Sequence, residues 1–213
     1  MEADFWHRRW RKNEIGFHLA EVNPLLIRFF AALALPAHSR VFVPLCGKTR
    51  DIGWLLQAGY RVVGAELNES AVQQLFQELG ITPTVLREAT RVSYQAQAIQ
   101  IEVGDILTLD TATLGPADAM YDRAALVALP AQMRQAYAAQ LIGLYPNAAQ
   151  LLISFDYQQA LLAGPPFAVP SADIHELYGA HYDCQRLASE PLDGGLKGQC
   201  PAHEEVWLLA PKR

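Results

Sequence analysis

Cysteine is scarce. Three residues, Cys46, Cys184 and Cys200, stand far apart in 213, and no C-x-x-C pair occurs. That spacing indicates neither a disulfide framework nor a structural zinc site, and it fits a reducing compartment. Charge is also sparse: 18% of residues are charged and the formal net charge is −5. Binding nucleic acid needs a basic field to neutralise phosphates, so no such partner is expected. No apolar run is long enough to cross a bilayer, and MEADFWHRRW has no apolar core between its charges. Neither a membrane span nor a signal peptide is therefore expected, and the expected location is cytoplasmic. The six histidines form no H-E-x-x-H or H-x-x-E-H spacing, and G-x-S-x-G does not occur. Metalloprotease and α/β-hydrolase chemistry thus lack their motifs, and no metal is expected. Repeats, linkers and a second composition zone are lacking, so residues 1–213 read as one domain, with 1–40 as a helical arm. No heptad or long strand edge calls for a partner chain, and a monomer is expected.

What is present is a hydrophobic fraction of 51%, organised around Val41–Asn68. Val41-Phe42-Val43-Pro44-Leu45 reads as a buried parallel strand. Gly47 then frees the backbone for a sharp turn, and Ile52, Leu55 and Leu56 mark a helix that Gly59 ends. A second strand, Arg61–Ala65, finishes at Glu66, a carboxylate placed to accept from ribose hydroxyls. This is the nucleotide half of a doubly wound α/β fold. Its turn carries one glycine where a dinucleotide fingerprint has G-x-G-x-x-G, so the close backbone approaches that a pyrophosphate needs are missing. A ligand with ribose but no phosphate fits better, S-adenosylmethionine being the common one. A nicotinamide oxidoreductase is disfavoured on the same ground. The plainer alternative, Glu66 as a strand-end surface charge, stays open.

Ahead of the first strand, Asp4 is placed to cap a helix over Phe5–Lys12, and Asn23-Pro24 opens another over Leu25–Leu35. Trp6, Trp10 and Phe17 either staple this arm to the body or close it over a ligand, since a tryptophan face attracts a sulfonium as it does an ammonium. After Glu66 a helix runs to Leu79, and residues 91–94 and 98–103 form a hairpin or an inserted strand. Asp105 then either accepts from an adenine amino group, with Ile106 on the ring, or caps a short turn. Arg123 ends the strand Ala117–Asp122, paired with Asp122 or another carboxylate, or facing a substrate. Pro130 heads a helix to Leu144, Gln150–Phe155 is a strand, and Gly164–Pro170, with three prolines, reads as a stiff wall, of a pocket or of the fold's own edge. Ser171 is expected to cap a helix to Gly179. Cys184–Ser189 and Glu205–Leu209 close the chain as a hairpin.

Trp6-x-x-x-Trp10 with Gly16-Phe17-His18, Phe42-x-Pro44-Leu45-Cys46-Gly47-Lys48, Val63-Gly64-x-Glu66, Tyr121-Asp122-Arg123-x-Ala125-Leu126-Val127-Ala128 and Gly164-Pro165-Pro166-Phe167-x-Val169-Pro170 together resemble the thiopurine S-methyltransferase family, in its bacterial form. The resemblance implies a class I S-adenosylmethionine-dependent methyltransferase: a Rossmann-like, mostly parallel seven-stranded sheet with its last strand reversed. It also implies that Trp10, Leu45, Glu66 and Arg123 contact S-adenosylmethionine, while Phe17 and Arg123 lie near the acceptor. The acceptor would be the sulfur of a thiopurine or a related small thiol, selenium or tellurium compound, methylated by in-line displacement. The alternative of another class is an adenosylmethionine-binding protein without catalysis.

Overall fold

A computed structural model describes residues 3–89 and 91–212, so the first two residues of the expected arm lie outside it. The chain divides into two compact units, Met1–Arg28 with Leu35–Asp118, and Phe29–Ala34 with Ala119–Arg213.

The first unit opens with α1 (Ala3–Arg11) and the start of α2 (Pro24–Phe29). Asn23 caps α2 through its side chain, which accepts from the Leu25 N–H at 2.8 Å. The Asn23 N–H in turn donates to buried Asp51 at 2.8 Å, hanging the arm on the next helix. The expected long helix stops early: α2 passes into a 3-10 turn, Phe30–Leu33, and ends at Ala34 in left-handed backbone. Then come β1 (Arg40–Val43), α3 (Arg50–Gln57), β2 (Arg61–Glu66) and α4 (Glu69–Leu79). β1 and β2 run parallel, Val41 opposite Val62, and their apolar residues are buried because both faces are covered. Gly64 permits this closeness, since a Cβ there would sit 2.6 Å from Ile101 Cδ1 and 3.0 Å from Cys46 Sγ.

Three further strands follow, β3 (Thr84–Glu88), β4 (Arg91–Ala96) and β5 (Ile99–Val103), before the short α5 (Thr111–Leu114). The strand order in this unit is β3-β4-β5-β2-β1, with β5 parallel to β2 and the β3–β4–β5 meander antiparallel. The hairpin over 91–103 is pinned by Arg91, whose guanidinium meets both oxygens of buried Glu102 at 2.9 Å. Burial pushes the Glu102 carboxyl up, but Arg91, Ser93 and Gln100 outweigh it and hold it below the ordinary value.

The second unit carries β6 (Ala119–Arg123), α6 (Ala131–Leu144), β7 (Ala149–Tyr157), α7 (Ser171–Tyr178), β8 (Tyr182–Pro191) and β9 (Ala202–Pro211). β6 and β7 are parallel; β9 runs antiparallel to β7 and β8, so the final strand is reversed as expected. Ser171 is the first helical residue and not the cap, a place that Pro170 takes. Among the described residues there are nine strands where seven were expected. The meander accounts for the difference, and β3 shows no apolar face because every one of its residues is exposed.

Candidate active site

The chain leaves β1 through Pro44-Leu45-Cys46-Gly47, with Leu45 (φ 44°) and Gly47 (φ 52°) both left-handed. Glycine adopts this freely, whereas a side chain costs about 1–2 kcal/mol, so the surroundings must hold Leu45 there. They do: the Cys46 N–H donates to the Ala65 carbonyl at 3.0 Å, and the Gly47 N–H donates to the Glu66 carboxylate at 2.8 Å. The other Glu66 oxygen accepts from the Asn68 N–H at 2.8 Å. Glu66 is only 6% exposed, which excludes the surface-charge alternative. Burial raises its pKa, while the N–H groups of Asn68, Gly47 and Leu67 pull the other way. A carboxylate has about four acceptor positions, so these N–H donors leave room for a ribose hydroxyl. The residues therefore fit a ribose.

The arm packs on the same turn. Trp10 is buried, and its Cζ2 lies 3.2 Å from where a Cβ on Gly47 would sit. Half-buried Phe17 meets Trp6 and Trp10 edge-on, with centroids 5.8 and 5.7 Å apart. His7 was not singled out by sequence, yet its Nδ1 lies 3.1 Å from Asn68 Nδ2. Asn68 Oδ1 already accepts from the Ser70 N–H at 3.0 Å, capping α4, so its amide donates and His7 accepts. Trp10, Phe17, Leu45, Gly47 and Glu66 are thus gathered around one turn. Past β5, exposed Asp105 accepts from the Leu107 N–H at 3.0 Å, the turn-capping arrangement, beside buried Ile106.

In the second unit Arg123 closes β6, half-buried. Successive strand residues face opposite ways, and Asp122 turns inward: its carboxylate accepts from the Leu126 N–H at 3.1 Å and the Tyr137 hydroxyl at 2.7 Å. Ala124 between them is left-handed, at φ 63°. The proline loop is held at several points. The Phe167 N–H donates to Val127 O at 2.7 Å, the Tyr157 hydroxyl to Pro166 O at 2.7 Å, and Lys197 Nζ to Pro165 O at 2.6 Å. Arg134 lies over the Phe167 ring, 6.0 Å from its centroid. The expected stiffness of this segment therefore has named anchors.

The fold is that of S-adenosylmethionine-dependent methyltransferases. It matches the Burkholderia thailandensis 1,6-didemethyltoxoflavin-N1-methyltransferase at TM-score 0.66 and 18% identity, covering 99% of this chain and 87% of that one. It also matches a SAM-dependent methyltransferase from Anabaena variabilis at TM-score 0.67 and 17% identity, covering 99% and 95%. The family model described as thiopurine S-methyltransferase matches residues 1–205. The thiopurine S-methyltransferase of Xanthobacter autotrophicus is 52% identical over 210 residues, 98% of this chain and 99% of that one. That of Teredinibacter turnerae is 50% identical over 210 residues, 99% and 98%. The chain belongs to the thiopurine S-methyltransferase family.

Proposed function

We propose that this protein methylates the sulfur of small thiols, thiopurines among them, or reduced selenium or tellurium compounds, using S-adenosylmethionine. The observation that carries the reading is Glu66: a buried strand-end carboxylate tied to the Gly47 turn by one oxygen and to Asn68 by the other, with acceptor positions remaining. When bound, S-adenosylmethionine supplies a methyl group on a positively charged sulfur, open to displacement by a soft nucleophile. The residues' tasks are then to bind and align. Glu66 accepts from the ribose hydroxyls, Leu45 and Gly47 shape the turn, and Trp10 offers a ring face to the cation. Asp105 and Ile106 serve the adenine, the first by accepting from its amino group and the second by apolar contact. Arg123 holds the acceptor with a planar fork of donors that is always charged, and Phe17 is likewise assigned to the acceptor. A soft thiol needs little acid–base help, and alignment alone lowers a barrier by about 7–11 kcal/mol in favourable cases. The proposal includes a cytoplasmic monomer without a nucleic-acid partner, and all three cysteines are free thiols.

Titration with S-adenosylhomocysteine and with NADH tests the cofactor half of this reading, and an acceptor screen with labelled methyl donor tests the rest. Binding of the first ligand only, followed by label on a thiol or chalcogen, is expected. Binding of NADH alone would overturn it.

A further inference from the structure

We propose that Asp122 is the positioning residue of the acceptor side, its buried carboxylate fixing both the turn that carries Arg123 and the proline loop docked on that turn. This rests on the reading of Arg123 as the acceptor's clamp. Asp122 has no solvent exposure, and each of its oxygens is held by a different element. One accepts from the Leu126 N–H at 3.1 Å, closing the chain back on itself four residues later. The other accepts from the Tyr137 hydroxyl on α6 at 2.7 Å. Within that closed stretch lie Arg123 and left-handed Ala124. Alanine has no polar group with which to stabilise such backbone locally, so the clamp around it imposes the conformation. The turn continues into a 3-10 segment, Leu126–Ala128, where Val127 O receives the Phe167 N–H at 2.7 Å. One carboxylate thus sets the direction in which Arg123 leaves the strand and the seat of the adjoining wall.

The choice of a carboxylate is informative. Burial pushes its pKa up to about 6, against the pull of Tyr137 and of the Leu126 and Ala125 N–H groups. Tyr137 on α6 and Tyr178 on α7 are the titratable groups that face it, and burial raises both phenols well above their ordinary value, so they stay neutral. A charge is kept here against desolvation, and what it supplies is charge-assisted hydrogen bonds to the turn.

The test is a double-mutant cycle with Asp122→Asn and Arg123→Ala, read as kcat/KM for the acceptor. S-adenosylhomocysteine calorimetry and thermal unfolding are run on every variant. Asparagine fills the same space and still accepts from Leu126, so folding and a ligand-induced rise in Tm are expected to persist. Asp122→Asn should lower acceptor kcat/KM about tenfold, chiefly through KM, and should add nothing in the Arg123→Ala background. An aryl thiol ionised throughout pH 5–8 should show a wild-type KM that rises below about pH 6 and an Asp122→Asn KM that is flat. If Arg123→Ala is impaired but Asp122→Asn is wild type, or the two losses multiply, the positioning role is wrong and the clamp stands. If Arg123→Ala is itself wild type, the clamp reading fails and this inference with it.

Discussion

The indole of Trp10 crowds the space that a Cβ on residue 47 would take, with Cζ2 3.2 Å from a Cβ built there. Gly47 therefore serves twice, adopting φ 52° and making room for the arm. Gly47→Ala adds strain of about 1–2 kcal/mol at this φ and presses on the indole. Calorimetry should show S-adenosylhomocysteine binding weakened by roughly tenfold, with a lowered Tm. Wild-type affinity in a folded variant would mean that the turn and the arm do not meet at the ligand.

Glu66 has a structural task beside its proposed ligand, because the Gly47 and Asn68 N–H groups both depend on it. Glu66→Gln should weaken S-adenosylhomocysteine binding about ten- to a hundredfold. Glu66→Ala should do the same and also destabilise the fold by about 1–3 kcal/mol, since two buried donors lose their acceptor. Unchanged affinity in the glutamine variant sinks the ribose assignment.

The arm is predicted to close over bound cofactor. α1 is 9 residues long, and isolated helices below ~12–15 residues are marginal in water, so α1 takes its stability from what it packs on. S-adenosylhomocysteine should slow amide exchange across residues 5–18 and shift tryptophan fluorescence. Deleting residues 1–12 should abolish activity while the remainder still folds. Equal protection with and without the ligand would make the arm a permanent staple.

Asp122 gives stability a pH dependence of definite sign. Its folded pKa, about 6, lies above the ordinary value of 3.8, so the charged form is the one disfavoured by folding. The associated stability is fully present below the ordinary value and is lost as pH rises through about 6. The shift corresponds to about 2–3 kcal/mol, and the amide of Asp122→Asn does not titrate. The Tm of Asp122→Asn relative to wild type should therefore climb between pH 4 and pH 7. A gap that stays constant across that range contradicts a buried, charged Asp122.

The nucleotide half was legible because its apolar runs, Gly47 and Glu66 lie within one continuous stretch and obey strand and helix periods. β3 was not, since Thr84–Glu88 is exposed at every position and carries no period-two signal. The long helix expected over Leu25–Leu35 gave way to a 3-10 turn because apolar spacing cannot report a change in winding. The bond from Asn68 to His7 joins residues 61 apart and leaves no local pattern. The Asp122 clamp was hidden for the same reason: its partner Tyr137 is brought back by α6 and not by sequence spacing.

The most direct test of methyl transfer at the Glu66 site is a single assay with methyl-labelled S-adenosylmethionine and a thiopurine or simple aryl thiol. Product is identified by mass spectrometry, and Glu66→Gln is run in parallel. The expected result is one S-methylated product for each S-adenosylhomocysteine formed, with the yield at limiting cofactor falling in the variant. Tight binding of S-adenosylhomocysteine with no S-methylated product would contradict it.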